Sequence, residues 1–245
     1  MHTSLTADQS AWLLTGRIRE RLPFFFLRYG DGAMECMRGD SGQTCDGEGY
    51  SPTLGLALLR VWESVKHGEN VYLGDWLSAT FDDSKPDTRY ATLYRALVGS
   101  VPRNWLHFEA LLLMRESAPL VDFYRAVQDD PRRKLYMGPA THAGAALMLR
   151  AEFLDVPMGG LFHWADALGE YLAQNDFEIL LYGAGMAGNI PVARCWERFP
   201  ERTYIHLGSA LDPLFDRRTR RQQIQPARAR YMFRHLLNRE VPIAV

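Results

Sequence analysis

FFFLRYGDGAMEC, residues Phe24 to Cys36, is a short apolar run that stops abruptly at a charge and a pair of glycines. Four apolar residues, three of them aromatic, lead into Arg28, and Gly30 and Gly32 then bracket Asp31. A run this short, closed by turn residues, reads as a buried strand leaving a core. The carboxyl end of such a strand is where open α/β sheets hold their ligands. Glycine at that point permits a tight turn or a close approach of backbone to ligand. Arg28, Gly30, Asp31 and Gly32 are therefore candidate contacts to something phosphorylated or metal-bound.

A second stretch, FEILLYGAGMAGNIPVARCWERF from Phe177 to Phe199, repeats the arrangement. Ile179 to Tyr182 is apolar, Gly183, Gly185 and Gly188 follow at GxGxxG spacing, and a helical period comes after them. Glycine-rich strand-to-helix turns present backbone N–H groups to phosphate oxygens at the positive end of a helix. The plainer reading is a tight turn whose glycines only let helix and strand pack. The dinucleotide fingerprint is incomplete, because the strand Thr203 to Leu207 carries His206 where a ribose-binding acid should fall. This disfavours a nicotinamide cofactor and leaves a nucleoside diphosphate open. Asn189, after the last glycine, either caps the helix or touches the ligand.

Outward from these two stretches, strand and helix signals alternate. Thr6 and Gln9 make a capping box that opens a helix running to about Leu22. Residues 39–51 are rich in glycine and turn formers and read as a mobile loop, a candidate lid. Pro52 starts a helix through Lys66, and Val71 to Gly74 is a strand closed by Asp75 and Trp76. Helices are expected over Pro86 to Val98, His107 to Arg115 and Pro119 to Asp129. Lys134 to Met137 reads as a strand stopped by Gly138-Pro139, followed by a helix over Ala140 to Arg150. A short strand from Phe153 to Val156 and a helix from Phe162 to Gln174 complete the pattern. Strands separated by helices imply a mostly parallel sheet covered on both faces, an α/β sandwich of Rossmann-like character in three layers.

With 245 residues and 47% hydrophobic content, the chain can bury one sizeable core, so residues 1–245 are read as a single domain. A net charge of −1 gives no global signal for nucleic acid or membrane. No apolar run approaches a bilayer span, and the first residues lack a secretory core, so a cytoplasmic location is expected. Cys36, Cys45 and Cys195 have no metal-ligand spacing and read as reduced thiols. The exception to the even charge is the segment 217–239, with eight arginines and no carboxylate. It reads either as a solvated helix or as a phosphate-facing surface, and it keeps a nucleic-acid partner open without favouring one.

Four segments in order resemble the glycosyltransferases of the GT-D type, a Rossmann-like family that uses nucleotide-sugar donors. They are LRYGDG (Leu27 to Gly32), LYMGPA (Leu135 to Ala140), LLYGAGMAGNIPV (Leu180 to Val192) and YIHLGSALDPL (Tyr204 to Leu214). The first is similar to that family's Arg-aromatic-Gly-Asp-Gly-Glu signature, whose D-x-E pair holds a divalent cation, manganese or magnesium. Here Ala33 replaces the glutamate, and Glu35 is the nearest acid. If a helix begins at Asp31, Glu35 lies one turn on, on the same face.

The resemblance implies transfer of a sugar from a nucleotide to a glycan or glycoconjugate acceptor. Asp31, with Glu35 second, would be the metal-ligating residues. Arg28 would stabilise the leaving diphosphate or pair with Asp31. Gly138, Ser209 and Asp212 join the glycine turn as candidate nucleotide contacts. The acceptor hydroxyl needs a base, for which Asp75, His107, Glu109 and His163 are candidates; Asp75 has the best context. The alternatives are a non-catalytic nucleotide-binding protein on the same fold, motivated by Ala33, and a nucleic-acid-associated protein using the arginine-rich segment.

Overall fold

The computed structural model describes residues 5–75, 104–112 and 117–212, together with position 96. The expected helix Pro86 to Val98 and the basic segment 217–239 fall outside the described stretches, as does Trp76. Seven strands form one sheet in the order β3-β2-β1-β7-β6-β4-β5, every pair parallel. They are β1 (Phe25–Leu27), β2 (Val71–Asp75), β3 (Trp105–His107), β4 (Lys134–Gly138), β5 (Glu152–Asp155), β6 (Ile179–Tyr182) and β7 (Thr203–His206). The helices are α1 (Ala7–Arg19), α2 (Asp31–Arg38), α3 (Pro52–Val65), α4 (Ala118–Asp129), α5 (Ala143–Met148), α6 (Ala165–Gln174) and α7 (Asn189–Arg198).

The central strands are apolar on both sides because both faces of the sheet are covered. Phe25 and Leu27 of β1 join one core with residues of α2, α3, α6 and α7. Phe24 and Phe26 enter the other, with α1, α4 and α5. All four are fully buried, each stabilising the fold by roughly 1.5–3 kcal/mol as an upper estimate. Helix starts follow local chemistry. The Thr6–Gln9 capping box is formed as expected, and Ser51 caps α3 with Pro52 in its first turn.

The expected helix from His107 is not what forms. Trp105, Leu106 and His107 pair in register with Leu73, Gly74 and Asp75 of β2, so His107 closes a strand. Only a single turn follows, with Ala110, Leu111 and Leu112 buried beneath the sheet. Apolar residues at helical spacing here serve a tight turn under an edge strand. The helices expected at Ala140 and Phe162 instead begin as short 3₁₀ turns, Ala140–His142 and Leu161–Trp164.

The topology places one opening. β4 and β6 are neighbours, yet β4 leads to α5 on one face and β6 to α7 on the other. Between two such strands the chain parts at the carboxyl edge, leaving the crevice in which open α/β sheets bind ligands. β7, beside β6, sends Ala210 and Leu211 to the α5 side and widens the same opening.

Candidate functional site

Because every strand runs the same way, the ends of β1, β2, β4, β6 and β7 meet along one edge. Asp31 begins α2 there with its carboxylate exposed, its Oδ1 accepting the Gly32 N–H at 2.9 Å. Glu35 lies one turn on, half-buried, on the face that carries Asp31. Its Oε2 accepts the Tyr50 hydroxyl at 3.2 Å. Ala33, at the position of the signature glutamate, is 1% exposed and packs into the core. The second acid of a D-x-E pair therefore has no outlet at that position in this chain.

Residues 39–51, expected as a mobile loop, form a small hairpin turned back on α2. Gln43 bridges Gly49, Thr44 N–H donates to Glu48 O at 2.9 Å, and Gly47 N–H closes the tip onto Thr44 O. Buried Glu48 anchors the hairpin from a distance, its Oε2 accepting the Leu161 N–H at 2.8 Å. Burial pushes the Glu48 carboxyl upward, and the N–H groups of Leu161 and Phe162 partly offset this. The tip carries Cys45 and Asp46. A side chain at Gly185, whose φ is +61°, would collide with the Asp46 carboxylate, so the tip lies directly on the glycine turn.

Cys45 reports what surrounds the tip. Its residue is exposed, but partial enclosure of the sulfur raises the thiol's pKa, and Asp46, Asp31 and Asp212 raise it further. Asp46 lies against Gly185, Asp212 against His142 beside Gly183, and Thr44 of the hairpin against Gly32, the neighbour of Asp31. Neither Cys45 nor Asp46 stands out in the sequence; the fold brings them there.

The glycines of the turn have packing reasons of their own. A Cβ at Gly183 would sit 2.8 Å from Gly208 O, and one at Gly188 would sit 2.8 Å from Ala184 O. One at Gly138 would lie 2.9 Å from the Tyr136 ring and 3.1 Å from His142 Nδ1, and one at Gly32 would meet Thr44 at 2.7 Å. Gly30, by contrast, has open space at its Cα as it leads into α2.

Arg28 and Asn189 are placed inside the scaffold. The Arg28 guanidinium, 4% exposed, donates to Phe108 O at 2.9 Å and Leu207 O at 2.5 Å and lies over the Phe108 ring. It thereby ties the ends of β1 and β7 to the turn after β3. Asn189 is wholly buried, accepting the Tyr182 hydroxyl at 3.1 Å and donating to Arg28 O at 3.4 Å. Both side chains that the sequence sends toward phosphate are engaged in holding strand ends together.

His206, at the position of the missing ribose acid, stacks on Tyr182 with ring centroids 4.5 Å apart and accepts the Arg28 N–H at Nδ1. Burial and the nearby guanidinium hold its pKa well below the ordinary histidine value, so it stays neutral. Ser209 is half-buried in the turn that follows, and its carbonyl accepts the Asp212 N–H at 3.3 Å. Asp212 is 5% exposed, with Oδ1 3.0 Å from His142 Nε2, and His142 Nδ1 lies 3.0 Å from the Tyr136 hydroxyl. His142 has no part in the sequence reading; its signal is a histidine three residues after the Gly138-Pro139 strand end.

Among the base candidates, Asp75 ends β2 at the carboxyl edge, in register with His107. His107 Nδ1 accepts the Glu109 N–H at 3.1 Å, Glu109 is buried, and His163 is exposed in the 3₁₀ turn before α6. His107 and Glu109 flank Phe108, whose carbonyl accepts from Arg28, and His163 lies two residues after Leu161, whose N–H holds the hairpin through Glu48. A cavity of about 420 Å³ lined by Arg19, Arg21, Asp122 and Arg125 lies at the amino edge, away from all of them.

Among the described residues, no group of three or more His, Cys, Asp or Glu side chains could hold a metal ion unaided. The carboxylates at the edge suit a hard cation, and magnesium is commonly held by one or two carboxylates plus substrate phosphates. Asp31, Asp46 and Asp212 would also repel a diphosphate that came without a cation. A cation at this edge would have to arrive on a diphosphate, and Asp31 is the exposed carboxylate that it would meet.

No protein-family model matches the sequence, and no curated protein is significantly similar to it. Solved structures similar to it include one of the highly conserved domain of unknown function 1792, described as having a distinct glycosyltransferase fold. That structure superposes with a TM-score of 0.58 at 15% identity, over 82% of this chain and 76% of that one. A selenomethionine-substituted structure of the same domain superposes at 0.60 and 16% identity, over 83% and 77%. The chain is thus α/β with a Rossmann-like glycosyltransferase fold. No helix among its described residues is long and apolar enough to cross a membrane.

Proposed function

We propose that this chain is a nucleotide-sugar-dependent glycosyltransferase that transfers a sugar to a glycan or glycoconjugate acceptor. The observation that carries the reading is that Asp46 lies against Gly185, Asp212 meets His142 beside Gly183, and Thr44 of the same hairpin packs on Gly32 next to Asp31, at the parting of the chain, in a glycosyltransferase fold. The turn before α7 faces the donor's phosphates with backbone N–H groups. Asp31 holds the manganese or magnesium that comes with them, and Glu35 acts mainly through Tyr50 to hold the hairpin. A bound cation neutralises charge on the departing diphosphate. Asp75 takes the acceptor's proton.

Calorimetric titration with UDP-, GDP- and TDP-sugars, with and without manganese, tests the reading. Cation-dependent binding that Asp31→Ala weakens at least tenfold supports it, and absence of binding to every donor refutes it. A second reading, a nucleotide-binding protein without turnover, is favoured by the core position of Ala33. It predicts donor binding with no sugar transfer or donor hydrolysis.

A further inference from the structure

Among the described residues, none accepts a hydrogen bond from the backbone N–H of Ala184, Gly185, Met186, Ala187 or Gly188, the row that leads into α7. Gly185 is half-buried and the other four are buried. Buried N–H groups are nearly always paired, so such a row suits the oxygens of an anion at the amino end of α7. An anionic group of the chain itself already lies against it. The Asp46 carboxylate stands where a Cβ of Gly185 would be. It makes no hydrogen bond or ion pair with any described residue, so the hairpin puts it there and the turn does not hold it.

The hairpin tip is wedged between two left-handed glycines of separate loops. Asp46 meets Gly185, at φ +61°. A Cβ at Gly159, at φ +79°, would stand 2.9 Å from Gly47 C and 3.0 Å from Asp46 O. The ties that seat the tip are side chains. Glu48 accepts the Leu161 N–H at 2.8 Å, Tyr50 donates to Glu35 at 3.2 Å, and Thr44 packs over Gly32. None of the seven strands belongs to the hairpin. Its stems are Gly39, the left-handed cap of α2 at φ +89°, and Ser51, the cap of α3. A surface segment seated in this way opens as a unit when its side-chain ties part. A phosphate oxygen and the Asp46 carboxylate exclude each other at Gly185, by volume and by like charge.

We infer that residues 39–51 form an autoinhibitory plug: Asp46 covers the glycine turn, and a diphosphate reaches the turn by displacing the hairpin tip. This rests on the donor-site reading above, which assigns the donor's phosphates to that turn. Apparent affinity for the diphosphate is then the affinity of the open form, reduced by the fraction of molecules that are open.

Calorimetry with UDP, GDP and inorganic pyrophosphate, each with manganese, tests it. Asp46→Ala should bind all three about tenfold more tightly than the wild-type chain. Asp46→Asn, which keeps the volume without the charge, should gain less. A lock tests the motion separately. A Cβ at Gly32 would lie 3.7 Å from Thr44 Cβ, within the spacing of a disulfide. Gly32→Cys with Thr44→Cys, in a Cys45→Ser background, should bind at least about tenfold more weakly when oxidised than after reduction with a phosphine. Thiol titration checks the bridge, and should it not form, the Asp46 variants decide. Asp46→Ala that binds no more tightly than the wild-type chain, or a bridged protein that binds as tightly as its reduced form, overturns the inference. Failure of every probe to bind the wild-type chain, Asp46→Ala and the reduced double variant is a different outcome, and it sinks the donor-site reading itself.

Discussion

His206 and Ala33 show how much a single position can hide. His206 is held neutral by burial and by the Arg28 guanidinium, so its folded pKa lies below the ordinary value of 6.5. Below that value the unfolded chain takes up a proton that the folded chain refuses, so stability is full above about pH 6.5 and falls as the pH drops toward the folded pKa. Melting temperatures from pH 5 to 7 should show this fall, with a slope up to about 1.4 kcal/mol per pH unit. His206→Phe should flatten it. Ala33 lies in the core, so Ala33→Glu should lower stability by more than about 3 kcal/mol in denaturant titration rather than create metal-dependent turnover. In sequence, an alanine beside Asp31 looks like a lost ligand, because nothing local says which face of α2 is buried. Arg28 misleads for the same reason: an arginine at a strand end reads identically whether it meets a phosphate or two carbonyls.

At the scale of elements, the legible parts are those with local causes. The capping box of α1, the Pro-led start of α3 and the glycine turn before α7 each lie within a few residues, and each formed where expected. The hairpin over residues 39–51 was hidden because its anchor is remote: Glu48 and Leu161 are 113 positions apart. Glu48→Ala should leave the buried Leu161 N–H without its acceptor, at a local cost of about 1–3 kcal/mol. Limited proteolysis should then cut between residues 40 and 49 faster than in the wild-type chain, while Glu48→Gln, which keeps an acceptor oxygen, should resist. Equal cutting in all three would mean that the hairpin is held by Tyr50 and Thr44 without Glu48. The stretch from His107 reads as helix in sequence because the partner strand of β3 is distant, and only the register with β2 makes His107 the end of a strand.

At the scale of the molecule, an all-parallel sheet brings every strand end to one edge, so most of the candidate site was visible as a list of strand ends. What the list lacked was its grouping. Asp31, Asp46 and Asp212 neighbour the hairpin and glycine turn at the ends of β1, β6 and β7, whereas Asp75 ends β2, on the far side of β1. In the proposed transfer, that spacing separates a donor side from an acceptor side. Asp75→Asn should therefore lower transfer by about 10²–10⁴-fold while donor affinity stays within about threefold. A matching loss of donor affinity would place Asp75 in the donor site instead.

On the proposed function, this edge releases a nucleoside diphosphate from a nucleotide sugar with the help of a cation held by Asp31. The most direct test is release of the free nucleoside diphosphate from UDP-, GDP- and TDP-sugars, followed with manganese and with a chelator, in the wild-type chain and in Asp31→Ala. Release is expected from at least one donor, abolished by chelation and reduced at least about a hundredfold by Asp31→Ala. Release that is indifferent to both the chelator and the substitution would contradict it.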